Sequence, residues 1–182
     1  YWSSRDTATR TSLQTLADGT ARYWSQQSGG RLAITAQARD WAKIADPGTC
    51  DTAAIWSRAL AAHRVTTAAQ QHIAVYFPKR ADCGGWAGLA SIGGGSIWLN
   101  GMPLADVLTH EFGHNLGLGH ANTATCTSGG TRASLALPFA SACQTQEYRD
   151  RADVMGIGTT MAPGNLNTAF ADHLGFARVQ RP

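Results

Sequence analysis

The sequence predicts a fold that mixes helices and strands, of α/β to α+β class, with a mixed sheet. Apolar residues recur at helical spacing in several parts of the chain, as in the stretch from Leu13 to Trp24. Short runs rich in β-branched and aromatic residues, such as His72–Phe77 (HIAVYF), are typical of buried strands. The 182 residues suffice to bury a core without oligomerisation, so we expect one monomeric domain over 1–182.

The first half of the chain is predicted to contain two helices and two strands in alternation. A long helix over Arg5–Gln27 ends before a Gly-Gly pair, and a strand over Arg31–Ala36 (RLAITA) follows it. A second helix over Asp51–His63 precedes the strand His72–Phe77, which ends at a proline.

The second half is predicted to begin with two edge strands, around Leu89–Ser91 and Ser96–Leu99. A helix begins near Pro103, where the first helical turn tolerates proline. Between residues 122 and 150 the periodicity is weak, so we expect irregular structure held by a disulfide. A short helix over Asn165–Leu174 ends the predicted elements.

Charge and hydropathy exclude two classes of partner. Fifteen Lys and Arg against twelve Asp and Glu give a net charge of +3 without a basic block, which argues against nucleic-acid binding. No apolar run approaches the roughly 18 residues that span a bilayer, so we expect no membrane association. The chain begins at Tyr1 without a signal peptide, and we expect a mature fragment whose leader has been removed. The excess of Arg over Lys hints at a bacterial source.

The four cysteines contain no C-x-x-C pair, which gives a thiolate metal site little support. An even number at wide spacing predicts two disulfides in an oxidising compartment, and hence a secreted protein. Three pairings are open. We favour Cys50–Cys83 with Cys126–Cys143, because each bond then closes one segment without crossing the other. Four reduced thiols are the alternative.

The stretch HEFGHNLGLGH, residues 110–120, carries the chemistry. His110 and His114 lie four residues apart on one helix face, a separation that suits two imidazoles on one Zn²⁺. Glu111 can reach a water on the metal without being a ligand. Gly117 permits the left-handed turn that would end the helix and bring His120 to the metal as third ligand. Three neutral ligands leave a fourth position open, which indicates a catalytic site. A helix with two surface histidines, followed by a loop histidine, is the alternative.

This motif, followed by Asp153-Val154-Met155-Gly156, resembles the zinc motif and methionine turn of the metzincin metalloendopeptidases. With the segment NLNTAFADHLGF, it is most similar to gametolysin-type metzincins and their bacterial relatives. The resemblance implies one catalytic Zn²⁺ and a role for Met155 as hydrophobic support beneath the histidines. It also implies a twisted mixed sheet with an antiparallel edge strand, the active-site helix in 1–120, and a small irregular C-terminal subdomain in 121–182.

The chain departs from some metzincins at two positions. Ile157 stands where astacins and serralysins have a tyrosine that can bind metal and stabilise an oxyanion, and Ala121 stands where other subfamilies have a polar residue. Tyr148 is a candidate oxyanion donor, with packing as the alternative. We expect Asp150 and Asp153 to orient the turn through backbone hydrogen bonds.

The same resemblance implies a substrate-binding strand. Gly88, Leu89 and Ala90 would lie on the edge strand above the cleft and hold an extended peptide by strand addition, with a plain glycine-flanked hairpin as the alternative. The segment Gly156–Asn165 would form the outer wall of the pocket. The remaining histidines are expected to be structural or solvated: His63, His72 and His173.

Together these features predict a secreted zinc endopeptidase that acts on proteins or peptides, with Glu111 as general base. Two alternatives stay open: a zinc hydrolase of a non-peptide amide, and a peptide-binding module with an idle metal site. Calcium is not indicated, because the sequence has no acidic EF-hand loop, although scattered carbonyls can also bind calcium.

Overall fold

The computed structural model describes residues 1–133, 143–157 and 163–177, and its elements are of mixed α+β class, as predicted. The helices are α1 (Arg10–Gln27), α2 (Thr52–His63), α3 (Ala105–Asn115) and α4 (Thr168–His173). The strands are β1 (Ile73–Phe77), β2 (Gly88–Ala90), β3 (Ser96–Asn100), β4 (Thr123–Ser128), β5 (Thr131–Ala133) and β6 (Cys143–Gln146). A single 3₁₀ turn, Ala81–Cys83, lies between β1 and β2.

The first sheet has the strand order β1-β3-β2 and is mixed, as the sequence predicts. β1 runs parallel to β3, with Val75 opposite Trp98, and β2 runs antiparallel to β3, with Leu89 opposite the same tryptophan. Among the described residues, β1 and β2 are therefore the two end strands, and a further strand could be added beside β2. The prediction that Ser96–Leu99 is an edge strand is wrong, because β3 pairs with a strand on each side.

Capping side chains mark where α1, α2 and α4 begin. α1 begins at Arg10, not at Arg5, because Thr9 and Ser12 form a capping box in which each side chain binds the other's backbone N–H. α2 begins after Asp51, whose carboxylate accepts the N–H of Ala54. Asn167 caps α4 in the same way through the N–H of Phe170, so this helix is shorter than predicted.

The prediction of a strand over Arg31–Ala36 is wrong. The segment alternates in burial like a strand, and its Leu32 and Ile34 pack on the core, but it forms no ladder. Side chains of α1 satisfy the backbone next to it instead. Gln14 donates to the carbonyl of Ala36 (3.1 Å) and accepts the N–H of Ala38 (2.7 Å). These bonds hold the chain against α1 and not against β1.

The prediction of irregular structure between residues 122 and 150 is also wrong. β4, β5 and β6 form an antiparallel sheet in the order β5-β4-β6. Gly129 and Gly130 join β4 to β5, and both have positive φ angles (58° and 80°), which is the backbone of a two-residue hairpin turn. Cys126 and Cys143 are paired residues on neighbouring strands, so the disulfide between them lies across the sheet.

The core fixes α3 between α1 and the first sheet. The indole N–H of Trp24 donates to the carbonyl of Thr109 (3.2 Å), and the hydroxyls of Thr20 and Thr109 are 3.1 Å apart. Trp24 and Phe112 pack in the same cluster. Because these contacts involve side chains on both helices, α3 is held in position along its buried face.

The structure pairs Cys50 with Cys83 and Cys126 with Cys143. The first bond joins the N-terminal end of α2 to the 3₁₀ turn, and the second closes the region after α3. Two disulfides indicate an extracellular or secreted protein. Among the helices of the described residues, none has the length and apolar character needed to cross a bilayer.

Candidate metal centre

α3 carries the first half of the centre, and its C-terminal end redirects the chain. His110 and His114 lie one turn apart on α3. Gly117 has a φ of 98°, a left-handed conformation that favours glycine, and its N–H donates to the carbonyl of His114 (2.8 Å). The N–H of Leu118 then donates to the carbonyl of Gly113 (3.1 Å). This turn ends the helix and returns the chain toward the two histidines.

The turn brings His120 next to the helical pair. The ligand nitrogens of His110, His114 and His120 all lie within 4.8 Å of one another. Zinc–nitrogen bonds of 2.0–2.1 Å would require the three nitrogens to lie closer to one another than this bound, so a bound ion would draw the rings together. Among the residues that the structure describes, these histidines form the only cluster of three or more histidine, cysteine, aspartate or glutamate side chains that could hold a metal ion.

Every one of the three rings has its Nδ1 hydrogen-bonded to an oxygen. The partners are Val154 O for His110 (2.9 Å), Leu118 O for His114 (2.8 Å) and Glu147 Oε1 for His120 (2.6 Å). Because a carbonyl or carboxylate oxygen accepts, Nδ1 carries the hydrogen and each Nε2 presents a lone pair. This is the arrangement in which protein histidines bind metals. Sequence reasoning missed all three partners.

Burial sets the protonation of the helical residues. Burial lowers the pKa of His110 to about 4 and also lowers the pKa of His114. Both imidazoles are therefore neutral near pH 7, as metal binding requires. Burial raises the pKa of Glu111 to about 7, and only 7% of this residue is exposed. Without a metal, its carboxyl group is held partly protonated at neutral pH.

β2 lies directly against Glu111. A Cβ atom added at Gly88 would be 2.5 Å from Oε1 of Glu111, so the close approach of strand and carboxylate requires glycine. Leu89 is 40% exposed and Ala90 is half-buried, in the alternation expected of an edge strand. The three residues proposed for substrate binding thus form the strand next to the candidate base.

Met155 is fully buried beneath α3. A Cβ atom at Gly113 would lie 2.3 Å from its sulfur, so the methionine packs against the helix between the two histidine ligands. Asp153 accepts the N–H groups of Met155 (2.6 Å) and Asn167 (2.5 Å), and Asp150 accepts that of Ala152 (3.1 Å). Both aspartates therefore orient the turn through backbone hydrogen bonds, as the sequence suggested.

Tyr148 packs on the third histidine. Its ring centroid lies 3.6 Å from that of His120. Its φ of 62° is unusual for a residue with a side chain, and two contacts hold its backbone there. Its N–H donates to Oδ1 of Asn122 (3.1 Å), and its carbonyl accepts the N–H of Ile157 (2.7 Å). Packing on a ligand ring is thus its observed contact, and a role as oxyanion donor stays a prediction.

The remaining histidines lie outside the cluster. Nδ1 of His72 is 3.1 Å from Oδ1 of Asn115, and its ring packs on Phe112. His63 ends α2, and His173 is exposed at the end of α4. Within the proposed outer wall, Gly156–Asn165, residues 158–162 lie outside the described part of the chain.

Comparisons of the chain with protein-family models, with curated protein sequences and with solved structures find no match. The chemistry of the centre therefore has to be inferred from its own side chains. On that basis, three histidines on α3 and the following turn form a site that could hold a metal ion.

Proposed function

We propose that this chain is a zinc endopeptidase of the metzincin type, acting on protein or peptide substrates outside the cell. The observation that carries the proposal is the convergence of three histidine nitrogens, from His110, His114 and His120. The buried carboxylate of Glu111 directly follows the first of these histidines in sequence.

The donor set fits zinc. Three imidazoles with fixed tautomers are a common ligand set for catalytic Zn²⁺, which they leave with an open coordination position. A zinc ion held there would act as a Lewis acid and lower the pKa of a bound water to about 7. The buried sulfur of Met155 lies against α3 at Gly113 and gives the turn of the helix that carries His110 and His114 an apolar support.

Glu111 is suited to the role of general base. A base works best when its pKa is near the working pH, and burial raises the pKa of Glu111 to about 7. A cation bound by the neighbouring histidines would favour the charged carboxylate and so lower this pKa. Glu111 then accepts a proton from the attacking water and delivers it to the nitrogen of the leaving amine.

The position of β2 favours a peptide substrate over a small amide. Among the described residues, β2 is one of the two end strands of its sheet, and it runs against Glu111 at Gly88. An extended peptide that pairs with this strand would place a backbone amide next to the base. A small non-peptide amide would gain nothing from a free strand edge, so this contact is what favours the peptidase.

The proposal is tested by metal removal and restoration. We expect cleavage of unfolded casein to be lost on treatment with a zinc chelator and restored by one equivalent of Zn²⁺, but not by Ca²⁺. Zinc-loaded protein that hydrolyses a small amide and no peptide would instead indicate an amide hydrolase. Zinc-loaded protein that hydrolyses neither would contradict an enzymatic role.

A further inference from the structure

We propose that Glu147 is a positioning residue that sets the metal affinity of the centre by orienting His120. The chain contains two glutamates, and both lie at this centre: Glu111 beside the first ligand and Glu147 on the third. The inference rests on the proposed metal centre but not on the peptidase activity.

His120 depends on a side chain where the other ligands do not. The Nδ1 atoms of His110 and His114 donate to main-chain carbonyls, which remain whatever side chains are substituted. The Nδ1 of His120 donates to the carboxylate of Glu147 at 2.6 Å. His120 also lies beyond the end of α3, so no helix fixes the direction of its ring.

The main chain on both sides of this contact is held in place. The N–H of Ala121, next to His120, donates to the carbonyl of Met155 (2.8 Å). Glu147 directly follows β6, whose last residue, Gln146, pairs with Thr123 on β4. These backbone contacts keep Glu147 within reach of the imidazole, and the 2.6 Å hydrogen bond forms although 65% of the Glu147 side chain is exposed.

The carboxylate has two effects on the ligand. It fixes the tautomer, because only a protonated Nδ1 can donate to it, and this leaves Nε2 free for the metal. It also makes the imidazole a stronger donor, since a negative acceptor strengthens the hydrogen bond and the basicity of the ring. Removing such a partner typically weakens metal binding about 10–100-fold.

The test compares Glu147→Ala, Glu147→Gln and a control, Gln146→Ala, which changes the exposed neighbouring side chain. Zinc affinity is measured against a competing chelator, and the Tm of each protein is measured with and without zinc. We expect Glu147→Ala to bind zinc about 10–100-fold more weakly. Glu147→Gln keeps an oxygen acceptor and should lose less, under about tenfold. The control should match the wild type, and all apoproteins should share one Tm.

Three results would overturn the proposal. Glu147→Ala could bind zinc as the wild type does, in which case the carboxylate orients nothing that matters. Glu147→Gln could lose as much zinc affinity as Glu147→Ala. The negative charge of Glu147 would then act on the centre without orienting His120 through the hydrogen bond. The apoprotein of Glu147→Ala could melt well below the wild type, which would indicate a structural role. None of these readouts uses peptide cleavage, so they are independent of the proposed activity.

Discussion

The candidate metal centre has two halves that are built in different ways. The helical half, His110 and His114, lies on α3, which Trp24 and Met155 hold in the core, and its hydrogen-bond partners are main-chain carbonyls. The turn half, His120, lies beyond the helix, and its partner is an exposed side chain 27 residues away in sequence. The helix thus orients two ligands by itself, whereas the third depends on how the region around β4 and β6 folds.

The largest effects should come from removing ligands, and they should differ between the halves. His120→Ala leaves two ligands preoriented on one helix, so we expect it to retain more zinc affinity than His114→Ala, which leaves ligands on separate elements. Both should weaken binding on the order of a hundredfold or more. Chelator competition measures the affinity, with His173→Ala as the control outside the cluster. Equal losses of zinc affinity in His120→Ala and His114→Ala would show that the helix does not preorient its two ligands.

The disulfides should separate stability from metal binding. Replacing Cys126 and Cys143 by alanine should lower the free energy of unfolding by about 3 kcal/mol. Replacing Cys50 and Cys83 should lower it by about 4 kcal/mol, because the loop closed by Cys50–Cys83 is the longer of the two. Only Cys126 and Cys143 lie on β4 and β6, so only the loss of their disulfide should also weaken zinc binding. Denaturant unfolding and zinc titration check both effects. If loss of Cys50–Cys83 weakened zinc binding and loss of Cys126–Cys143 did not, the position of His120 would not depend on the region of β4 and β6.

The buried carboxyl of Glu111 should make the apoprotein less stable as pH rises. Its pKa is raised to about 7 in the folded state, so between pH 4.5 and 7 the folded protein holds a proton that the unfolded chain has released. Stability is therefore lost as pH rises through this window. At pH 8, Glu111→Gln should be more stable than the wild type by up to about 3 kcal/mol, and at pH 4 the two should be nearly equal. Urea unfolding of the apoproteins at both pH values measures this, and no gain at pH 8 would argue against the raised pKa.

The smallest effects should come from two matched glycines. A Cβ atom at Gly113 would lie 2.3 Å from the sulfur of Met155 and 3.1 Å from Trp24, whereas at Gly119 it would meet nothing within 4 Å. Gly113→Ala should lower the free energy of unfolding by about 1–3 kcal/mol through overpacking, less the gain in helix propensity. Gly119→Ala should change it by less than about 0.5 kcal/mol. Thermal or urea unfolding distinguishes the two variants. A larger loss of stability in Gly119→Ala than in Gly113→Ala would show that Met155 does not pack closely against Gly113.

What the sequence could predict depends on the sequence range of each contact. The positions of the three histidines follow a local pattern, in which a four-residue spacing places the helical pair and Gly117 permits the turn that brings His120. The acceptors Val154 and Glu147 are 44 and 27 residues from their histidines, and nothing in the spacing signals them. The sequence did contain one signal for Glu147, because it is the chain's only glutamate besides Glu111.

The wrong predictions for Arg31–Ala36 and for the region of β4, β5 and β6 have different causes. Arg31–Ala36 has the alternation of a strand, but the side chain of Gln14 bonds the adjoining backbone and holds it on α1. A long-range contact of this sort leaves no mark in a local pattern. The sheet of β4, β5 and β6 was recognisable in principle, since Gly129-Gly130 is a two-residue hairpin signal between threonine-rich runs.

We propose that Glu111 acts as base beside a zinc ion held by His110, His114 and His120. The most direct test is casein cleavage by Glu111→Gln compared with the wild type, with the zinc content of both samples measured. We predict one zinc per chain in each and a loss of about 10²–10⁴-fold in kcat/KM in the variant. A zinc-loaded Glu111→Gln protein that cleaves casein at the wild-type rate would show that Glu111 is not the base.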